Sequence, residues 1–534
     1  AGVGAGHFGT MYEFSEEVVC RCGGEVEVAE QDTWFLRYND DDWKAATKRV
    51  VENMECIPEN TRGEYDHTID WLNEWPCIRN YGLGTRLPWD DDFVIEPLSD
   101  STIYMAYYTI APRLREIPVE DLDRDFFDAL FYGAEVVDDP DPRALDLREE
   151  WLYWYPVDYR FSANDLISNH LTFYLFHHAE LFEEPQWPAG IVIMGMGLLE
   201  GEKMSSSKGH VVLPGEAIEE YGADTVRFFL LNSAEPWQDY DWRAGQVESV
   251  RNQLERFWNR AAELLPEEPA STFDDETPDL EDIDRWLLSK LQRTVRDVTT
   301  AMENSETRAA SQTAFYGFEE SLRWYRRRTD RSRPAAQWTL RHALETRLRL
   351  LAPFVPFLTN ELHEELTGTA AEDAPWPEVD PDLERPAVEV QERRIERLTE
   401  DVTDIVDVTG TDPETIRVYV AADWKRQVFD AVREAGPDVG AAMSEAMSDP
   451  ALRERGEAVN DLVGDLVELV RDLDDETVET LAGMDELAVY EAAVPFLEDE
   501  FGATVEVYAE DADPPDPGDR AGSAVPFRPA IHLE

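Results

Sequence analysis

The spacing of hydrophobic positions changes three times along the chain, and each change marks a region with its own predicted architecture. Residues 1–80 mix short strand-like runs with one polar helix, and residues 81–245 alternate strand and helix, the pattern of an α/β layer with parallel strands. From 246 to 395 apolar residues recur at helical spacing, which predicts a bundle of long amphipathic helices. Residues 396–534 combine two strand-like runs with several helices, which predicts a small α/β domain. One helical face of the bundle is expected to carry Trp286, Leu287, Leu291 and Val295.

Smaller features subdivide these regions. Residues 118–148 are acidic and interrupted by an Asp-Pro-Asp-Pro sequence, which favours a surface insertion. The strand-like runs of the last region fall at 415–420 and 503–508. After a loose stretch rich in Asp, Pro and Gly, residues 525–534 are apolar and stiffened by proline, which favours docking over the disorder that is usual for a tail.

The charge balance is extreme, with 115 acidic against 48 basic residues and a formal net charge of −67 over 534 residues. The length is enough for three or four domains. Acidic residues scattered over every segment are typical of a surface adapted to molar salt, where screening is strong. The alternative is a surface that binds metal or basic proteins. Because such a surface repels RNA in dilute buffer, any RNA-binding face is expected to be a local basic exception.

The longest nearly uncharged apolar run, 190–199, is too short to span a bilayer. The N-terminus shows neither the charged segment nor the apolar segment of a signal peptide. These features predict a soluble cytoplasmic protein.

The cysteines all lie in the first 80 residues. In a reducing cytosol they do not predict disulfides. Cys20 and Cys22, followed by two glycines, resemble half of a zinc knuckle, but two thiolates do not complete a tetrahedral site. Three possibilities are open: Cys56 or Cys77 completes a Zn²⁺ site, other ligands lie upstream, or all four are ordinary thiols.

A loop at 199–210 contains the clearest chemistry. It follows an apolar run that predicts a buried parallel strand, and it precedes a helix expected to start at Pro214 and stop at Gly222, with Asp224 capping the next helix. Ligands bind at the carboxyl ends of strands in open α/β sheets. Lys203 and Lys208 are two of only six lysines in the chain. Their ammonium groups can neutralise the negative charge that develops on a pyrophosphate leaving group. A surface loop without a ligand would not need two lysines in a chain that otherwise avoids them.

The loop resembles the KMSKS signature of class I aminoacyl-tRNA synthetases. That resemblance implies an α/β Rossmann-type catalytic domain, of which this chain holds the second half at 81–245, with Lys203 and Lys208 as catalytic residues. Ser206 stands where the family usually has a catalytic lysine, so either remaining lysine could take that role. The resemblance also implies ATP, accompanied by Mg²⁺, bound at Lys203, Met204, Ser205, Ser206 and Ser207.

Flanking segments, 97–109 and 155–171, resemble the leucyl enzymes of the archaeal and eukaryotic type within this class. By that resemblance Ser101 and Tyr104 line the amino-acid pocket. The adenylate contacts are implied for Asp165, Asn169 and His170. Taken singly, tyrosines at helical spacing more often belong to a core, and a lone histidine is usually a satisfied core residue. The neighbouring His177 and His178 are interpreted as structural.

The region 323–349 contains nine arginines against two acidic residues. We expect a tRNA-facing surface that includes Arg326, Arg327 and Arg328, whose replacement by Glu should weaken tRNA binding and spare folding; pairing with acidic residues of the chain is the alternative. The resemblance makes 246–395 the anticodon-binding-type bundle and 396–534 the domain that holds the variable arm of tRNA(Leu). Arg528 is the positive charge expected to contact phosphate there.

The sequence contains no His-x-Gly-His segment, the other half of a class I ATP site. Residues 1–80 correspond, by resemblance, to the end of an editing insertion and the return to the catalytic domain. The expectation is therefore a truncated copy or one half of a split leucine–tRNA ligase, inactive without its N-terminal half, with leucine, ATP and tRNA(Leu) as partners. The alternatives are a non-catalytic tRNA-binding subunit or paralogue, and a valyl, isoleucyl or methionyl enzyme.

Overall fold

The computed structural model describes residues 18–19, 24–26, 28, 32–204, 209–273 and 276–534. The strands are β1 (Phe35–Arg37), β2 (Glu55–Ile57), β3 (Glu74–Pro76), β4 (Ile78–Arg79), β5 (Arg86–Leu87), β6 (Asp90–Ile95), β7 (Arg160–Ala163), β8 (Gly190–Met194), β9 (Gly197–Leu199), β10 (Glu202–Lys203), β11 (Tyr240–Trp242), β12 (Thr415–Val420), β13 (Thr504–Ala509) and β14 (Ala530–Leu533).

The α-helices up to residue 303 are α1 (Asp41–Asn53), α2 (Arg62–Trp71), α3 (Pro97–Ser101), α4 (Tyr104–Tyr108), α5 (Ala111–Leu114), α6 (Arg124–Tyr132), α7 (Pro142–Trp154), α8 (Thr172–Leu181), α9 (Pro214–Tyr221), α10 (Ala223–Ser233), α11 (Ala244–Ala262) and α12 (Asp282–Glu303). They continue with α13 (Thr307–Gln312), α14 (Phe318–Arg328), α15 (Pro334–Leu351), α16 (Pro356–Thr367), α17 (Pro386–Thr409), α18 (Asp423–Ala435), α19 (Val439–Ala446), α20 (Pro450–Arg453), α21 (Gly456–Arg471), α22 (Asp475–Gly483) and α23 (Glu486–Phe501). In the described ranges no helix is long and apolar enough to cross a membrane.

The chain divides into two units, the first comprising residues 1–197 and 236–240 and the second comprising 198–235 and 241–534. The first unit contains a parallel sheet in the order β2-β8-β7. Its central strand β8 is uncharged and is buried up to Ile193, with Met194 half-buried, because both neighbouring strands and the helices cover it. This is the parallel α/β layer that the alternation of strands and helices predicted. β7 is at the edge of this sheet.

The core of the first unit includes side chains from the acidic segment 118–148. Phe126, Leu130 and Leu147 are each at most 3% exposed, so a surface location is wrong for these side chains. The carboxylates of this segment alternate with an apolar helical face on α6 and α7, and that face packs inward.

In the second unit, β9 and β10 form a hairpin whose two turn residues, Glu200 and Gly201, have φ of 52° and 83°. Helix α9 begins at Pro214 and stops at Tyr221, directly before Gly222, whose φ is 86°, as predicted. The prediction that Asp224 caps its own helix is wrong. Its carboxylate accepts from the backbone N–H groups of Phe357, at 3.3 Å, and Leu358, at 2.6 Å, and so caps the start of α16.

Helices α11 to α17 form the predicted bundle. Leu287, Leu291 and Val295 are at most 1% exposed, so the expected apolar face of α12 is buried. The C-terminal residues build a sheet in the order β13-β12-β14, with β13 parallel and β14 antiparallel to β12. The strand predicted at 415–420 is observed with the same bounds, and the apolar tail docks as β14.

Candidate functional site

The segment predicted to contact the adenylate follows β7 directly. A 3-10 helix, Asn164–Leu166, and a π-helical turn, Ile167–Leu171, lead into α8. Such π-turns are frequent at functional sites because they re-aim side chains within a helix. Asp165 is exposed, Asn169 is half-buried and donates to the carbonyl of Asp165 at 3.2 Å, and His170 is buried.

A chain of hydrogen bonds fixes the state of His170. The guanidinium of Arg160 lies 3.2 Å from Nδ1 of His170, and a guanidinium can only donate, so Nδ1 accepts. The proton is therefore on Nε2, which donates to Oγ of Ser101 at 2.9 Å. Ser101 in turn donates to the carbonyl of Leu98 at 3.2 Å. The structure thus brings together two of the predicted residues, Ser101 and His170.

Burial lowers the pKa of His170, and the positive charge of Arg160 lowers it further, while the hydrogen bond to Ser101 acts in the opposite direction. A neutral imidazole at neutral pH keeps the Nε2 proton directed at Ser101. Arg160, which the sequence reasoning missed, is the positioning residue of this group. The sequence offers one signal for Arg160: it is the charged residue at the first position of β7, whose other residues are uncharged.

Tyr104 lies beside His170, with ring centroids 6.3 Å apart in an edge-to-face arrangement. It is 41% exposed, and Tyr107 and Tyr108 are exposed as well, so the alternative that these tyrosines are core residues is wrong. Their rings are accessible to a ligand on the surface of the first unit.

His177 and His178 are structural, as interpreted from the sequence. His178 donates from Nδ1 to the carbonyl of Tyr174 at 2.9 Å and accepts from the hydroxyl of Tyr155 at 2.7 Å. His177 accepts from the hydroxyl of Tyr38 and donates to Thr102. Burial lowers the pKa of His177 to about 4 and that of His178 to about 3.

The lysine loop begins with the β9–β10 hairpin of the second unit. The N–H of Gly201 donates to Asp241 at 2.8 Å, which fixes the turn. Lys203 is exposed at the end of β10, and Met204 packs against the core of this unit. Ser205, Ser206, Ser207 and Lys208 lie outside the described residues.

Lys203 differs from the other described lysines. Each of those is bonded within the chain: Lys44 to the carbonyl of Asp70, Lys48 to the carboxylate of Asp70, Lys290 to Glu389 and Lys425 to Glu510. Lys203 makes no ion pair with any residue that the structure describes, so its ammonium group is available to a ligand.

The arginines expected to face tRNA are mostly engaged within the chain. Arg327 forms a two-point pair with Glu500, and Arg328 lies 3.1 Å from the buried Glu392. The alternative, pairing with acidic residues of the chain, is therefore observed for Arg327 and Arg328, and we expect their replacement by Glu to destabilise the fold. Arg326 is half-buried, and a tRNA contact by any of the three stays a prediction. Arg528 is exposed next to β14.

The predicted zinc ligands Cys20 and Cys22 lie outside the described residues. Cys56 is buried in β2, where burial raises the pKa of its thiol to about 11 and disfavours a thiolate ligand. Across the residues that the structure describes, no group of three or more His, Cys, Asp or Glu side chains is arranged to hold a metal ion.

Comparison with known proteins places these features in a family. The family "tRNA synthetases class I (M)" matches residues 137–261, and "Anticodon-binding domain of tRNA ligase" matches residues 284–418. The fold and these matches define a class I tRNA synthetase.

Within that class, the chain is 41% identical over 98% of its length to the leucine–tRNA ligase of Methanothermobacter thermautotrophicus and 43% identical over 99% of its length to that of Methanopyrus kandleri. The chain belongs to the leucine–tRNA ligase family. It covers 55% and 56% of those two proteins, about half of their length. A crystal structure of the Agrobacterium radiobacter K84 LeuRS with tRNA and LeuAMS matches at 17% identity and a TM-score of 0.42, over 66% of this chain and 41% of that one, which is too distant to add to this assignment.

Proposed function

We propose that this chain carries part of the catalytic and tRNA-binding machinery of a leucine–tRNA ligase. The complete enzyme joins leucine to ATP to give leucyl-adenylate and pyrophosphate, then transfers the leucyl group to the 3′ end of tRNA(Leu). The observation that carries the proposal is Lys203, an exposed ammonium group on a fixed hairpin in a chain whose other described lysines are all bonded internally.

In the first step a carboxylate oxygen of leucine attacks the α-phosphorus, and the bond from that phosphorus to the bridging oxygen of pyrophosphate breaks. Such a displacement requires positioning and charge stabilisation rather than a covalent catalyst. Lys203 and Lys208 would neutralise the negative charge that develops on the leaving pyrophosphate. Mg²⁺ would arrive with the ATP phosphates.

The residues that the family resemblance implies for adenylate and leucine contacts all belong to the first unit. The exposed carboxylate of Asp165 can accept from ribose hydroxyls, and Asn169 lies one turn further along the chain. Ser101 and Tyr104 would line the leucine pocket, where His170 holds the hydroxyl of Ser101 in one orientation. The tRNA contacts would come from the helical bundle and from Arg528.

Adenylate formation would require a complementary segment. The sequence lacks the His-x-Gly-His motif and spans about half the length of its relatives. Strand β7, which leads into the Asp165–His170 segment, is at an edge of its sheet, where a further strand can pair.

The test is leucine-dependent exchange of pyrophosphate into ATP, measured with the chain alone and with the N-terminal portion of a leucine–tRNA ligase added. We expect exchange only in the mixture, and a loss of at least about 10-fold in a Lys203→Ala variant. Lys48→Ala, which removes a lysine from a surface ion pair, is the matched control. Exchange that Lys203→Ala leaves unchanged contradicts the role of Lys203; no exchange in any mixture, with retained tRNA binding, would favour the non-catalytic subunit.

A further inference from the structure

Three guanidinium groups surround a small cavity inside the helical bundle. Arg260 comes from α11, Arg326 from α14 and Arg347 from α15, and apolar side chains such as Phe257 and Leu322 complete the wall. The cavity has a volume of about 20 Å³. A space of roughly 10–15 Å³ is needed for one water-sized guest, so there is room for a single small group.

The positive charges of this wall outnumber the negative ones. Glu319 is the acidic residue of the cavity wall, and its two oxygens are already used: Oε1 accepts from Arg260 and Oε2 accepts from Arg347 at 3.3 Å. Arg326 has no hydrogen-bond or ion-pair partner within the described part of the chain. Three guanidinium groups and one carboxylate leave a local net charge of +2. Beyond the cavity wall, the carboxylate of Glu263 raises the pKa of Arg326 and the guanidinium of Arg331 lowers it.

Two of the three guanidinium groups, those of Arg347 and Arg260, are held in place by bonds within the chain. Arg347 is 3% exposed and donates to the backbone carbonyls of Ala314, at 3.0 Å, and Phe315, at 2.8 Å. Burial lowers the pKa of Arg347 to about 10, and it also lowers that of Arg326, because positive charge is poorly solvated there. Arg347 is buried, Arg326 is half-buried and the side chain of Arg260 is 40% exposed, so this excess of positive charge is partly removed from water, and a nearby anion would stabilise it.

We propose that this cavity binds a monatomic anion, chloride in the first place, held by the guanidinium group of Arg326 together with the remaining N–H groups of Arg260 and Arg347. A volume of about 20 Å³ suits one small ion better than a phosphate or carboxylate group. The anion ties α11, α14 and α15 together. This anion site would affect the stability of the bundle and is independent of the proposed ligase function.

The experiment is thermal unfolding of the whole chain at increasing sodium chloride, with sodium gluconate keeping the ionic strength constant. We expect the midpoint to rise by at least about 2 °C and then to saturate, as for a site that fills. Arg326→Gln should remove the rise. Arg323→Gln is the matched control, because it deletes the same charge from an exposed position of the same helix and should behave as the unaltered chain.

A direct measurement uses the chlorine NMR line width of chloride, which broadens in fast exchange with a protein site. Broadening should exceed that of the Arg326→Gln variant. Arg326→Lys, which keeps the charge but loses the planar fork, should need more chloride to saturate and covers the case in which the Gln variant does not fold. Equal chloride dependence in the unaltered chain and in either variant, or equal line widths, overturns the proposal and leaves a cavity that holds water only.

Discussion

The Nε2 atom of His170 lies 2.9 Å from Oγ of Ser101, although 69 positions separate the two residues in the chain. The contact joins the segment after β7 to the end of α3. Because the guanidinium of Arg160 occupies the other ring nitrogen, this imidazole has one tautomer and one donor direction. Three residues, Arg160, His170 and Ser101, define this arrangement, and the sequence alone indicated only His170 and Ser101.

Replacing Arg160 with Gln should raise the pKa of His170. The charge of Arg160 lowers that pKa in the intact chain, so its removal favours the protonated ring. The measurement is an NMR titration of the histidine side chains. Arg113→Gln, which breaks an exposed pair with Glu150, should leave the titration unchanged. In the assembled enzyme, the acidic limb of the exchange reaction should move to higher pH, and an unmoved or lowered His170 pKa would contradict the assignment.

The first unit should lose stability as the pH falls from about 6.5. His177 and His178 have folded pKa values of about 4 and about 3, below an unfolded value of about 6.5, so the unfolded chain takes up protons first. Their stabilising contribution is complete above that value and is lost as the pH falls towards the folded pKa. Between pH 7 and pH 5, each histidine lowers the free energy of unfolding by about 2 kcal/mol.

Urea unfolding at several pH values checks this, with His178→Gln as the test variant. Acid also relieves repulsion among the carboxylates, so the informative quantity is the difference between the variant and the unaltered chain. The free energy of unfolding of the variant should fall less steeply between pH 6.5 and pH 5 than that of the unaltered chain. His67→Gln, at an exposed position, should follow the unaltered chain. Identical slopes for all three proteins would show that His178 does not titrate on unfolding.

Asp224→Ala should destabilise the second unit by about 1–2 kcal/mol, because two backbone N–H groups at the start of α16 lose their acceptor. Asp224→Asn retains one acceptor oxygen and should lose less. Glu219→Ala, at an exposed position of α9, is the control. The measurement is the free energy of unfolding in urea; equal losses in the Ala and Asn variants would argue against a capping role.

Arg328→Ala should cost about 3 kcal/mol or more, whereas Arg323→Ala should cost less than about 0.5 kcal/mol. Removing Arg328 leaves the carboxylate of Glu392, which is 4% exposed, without a counter-charge. The side chain of Arg323 is 68% exposed, and its guanidinium lies 3.9 Å from the carboxylate of Glu320, which is a long distance for an ion pair. Chemical unfolding distinguishes the two. The double variant Arg328→Ala, Glu392→Gln should recover part of the loss, and no recovery would mean that Arg328 acts through packing alone.

The elements that the sequence predicted well are those whose signal is local. Strand β8 is an uncharged apolar run, β12 has the predicted bounds, and α9 is delimited by Pro214 and Gly222. The failures involve distant partners. Nothing near Asp224 indicates that it caps a helix 134 positions away, and nothing near Arg327 indicates its pair with Glu500.

The candidate site divides in the same way. Lys203 stands out because lysine is rare in this chain, and that is visible from composition alone. The functional state of His170 depends on Arg160, and only the fold brings that guanidinium to the ring. The apolar face of the acidic segment 118–148 was hidden by its charge, since net charge describes the solvent side of a helix and not the side that packs.

The sheet β13-β12-β14 has a consequence for synthesis on the ribosome. Arg417 on β12 pairs with Glu534, 117 positions later, and with Glu506 on β13. When β12 leaves the exit tunnel, neither neighbouring strand has yet been made, although several helices between them have. The apolar side chains of β12 therefore lack both neighbouring strands until residues 504–509 and 530–533 have been synthesised, so this sheet cannot be completed before its last strand is made.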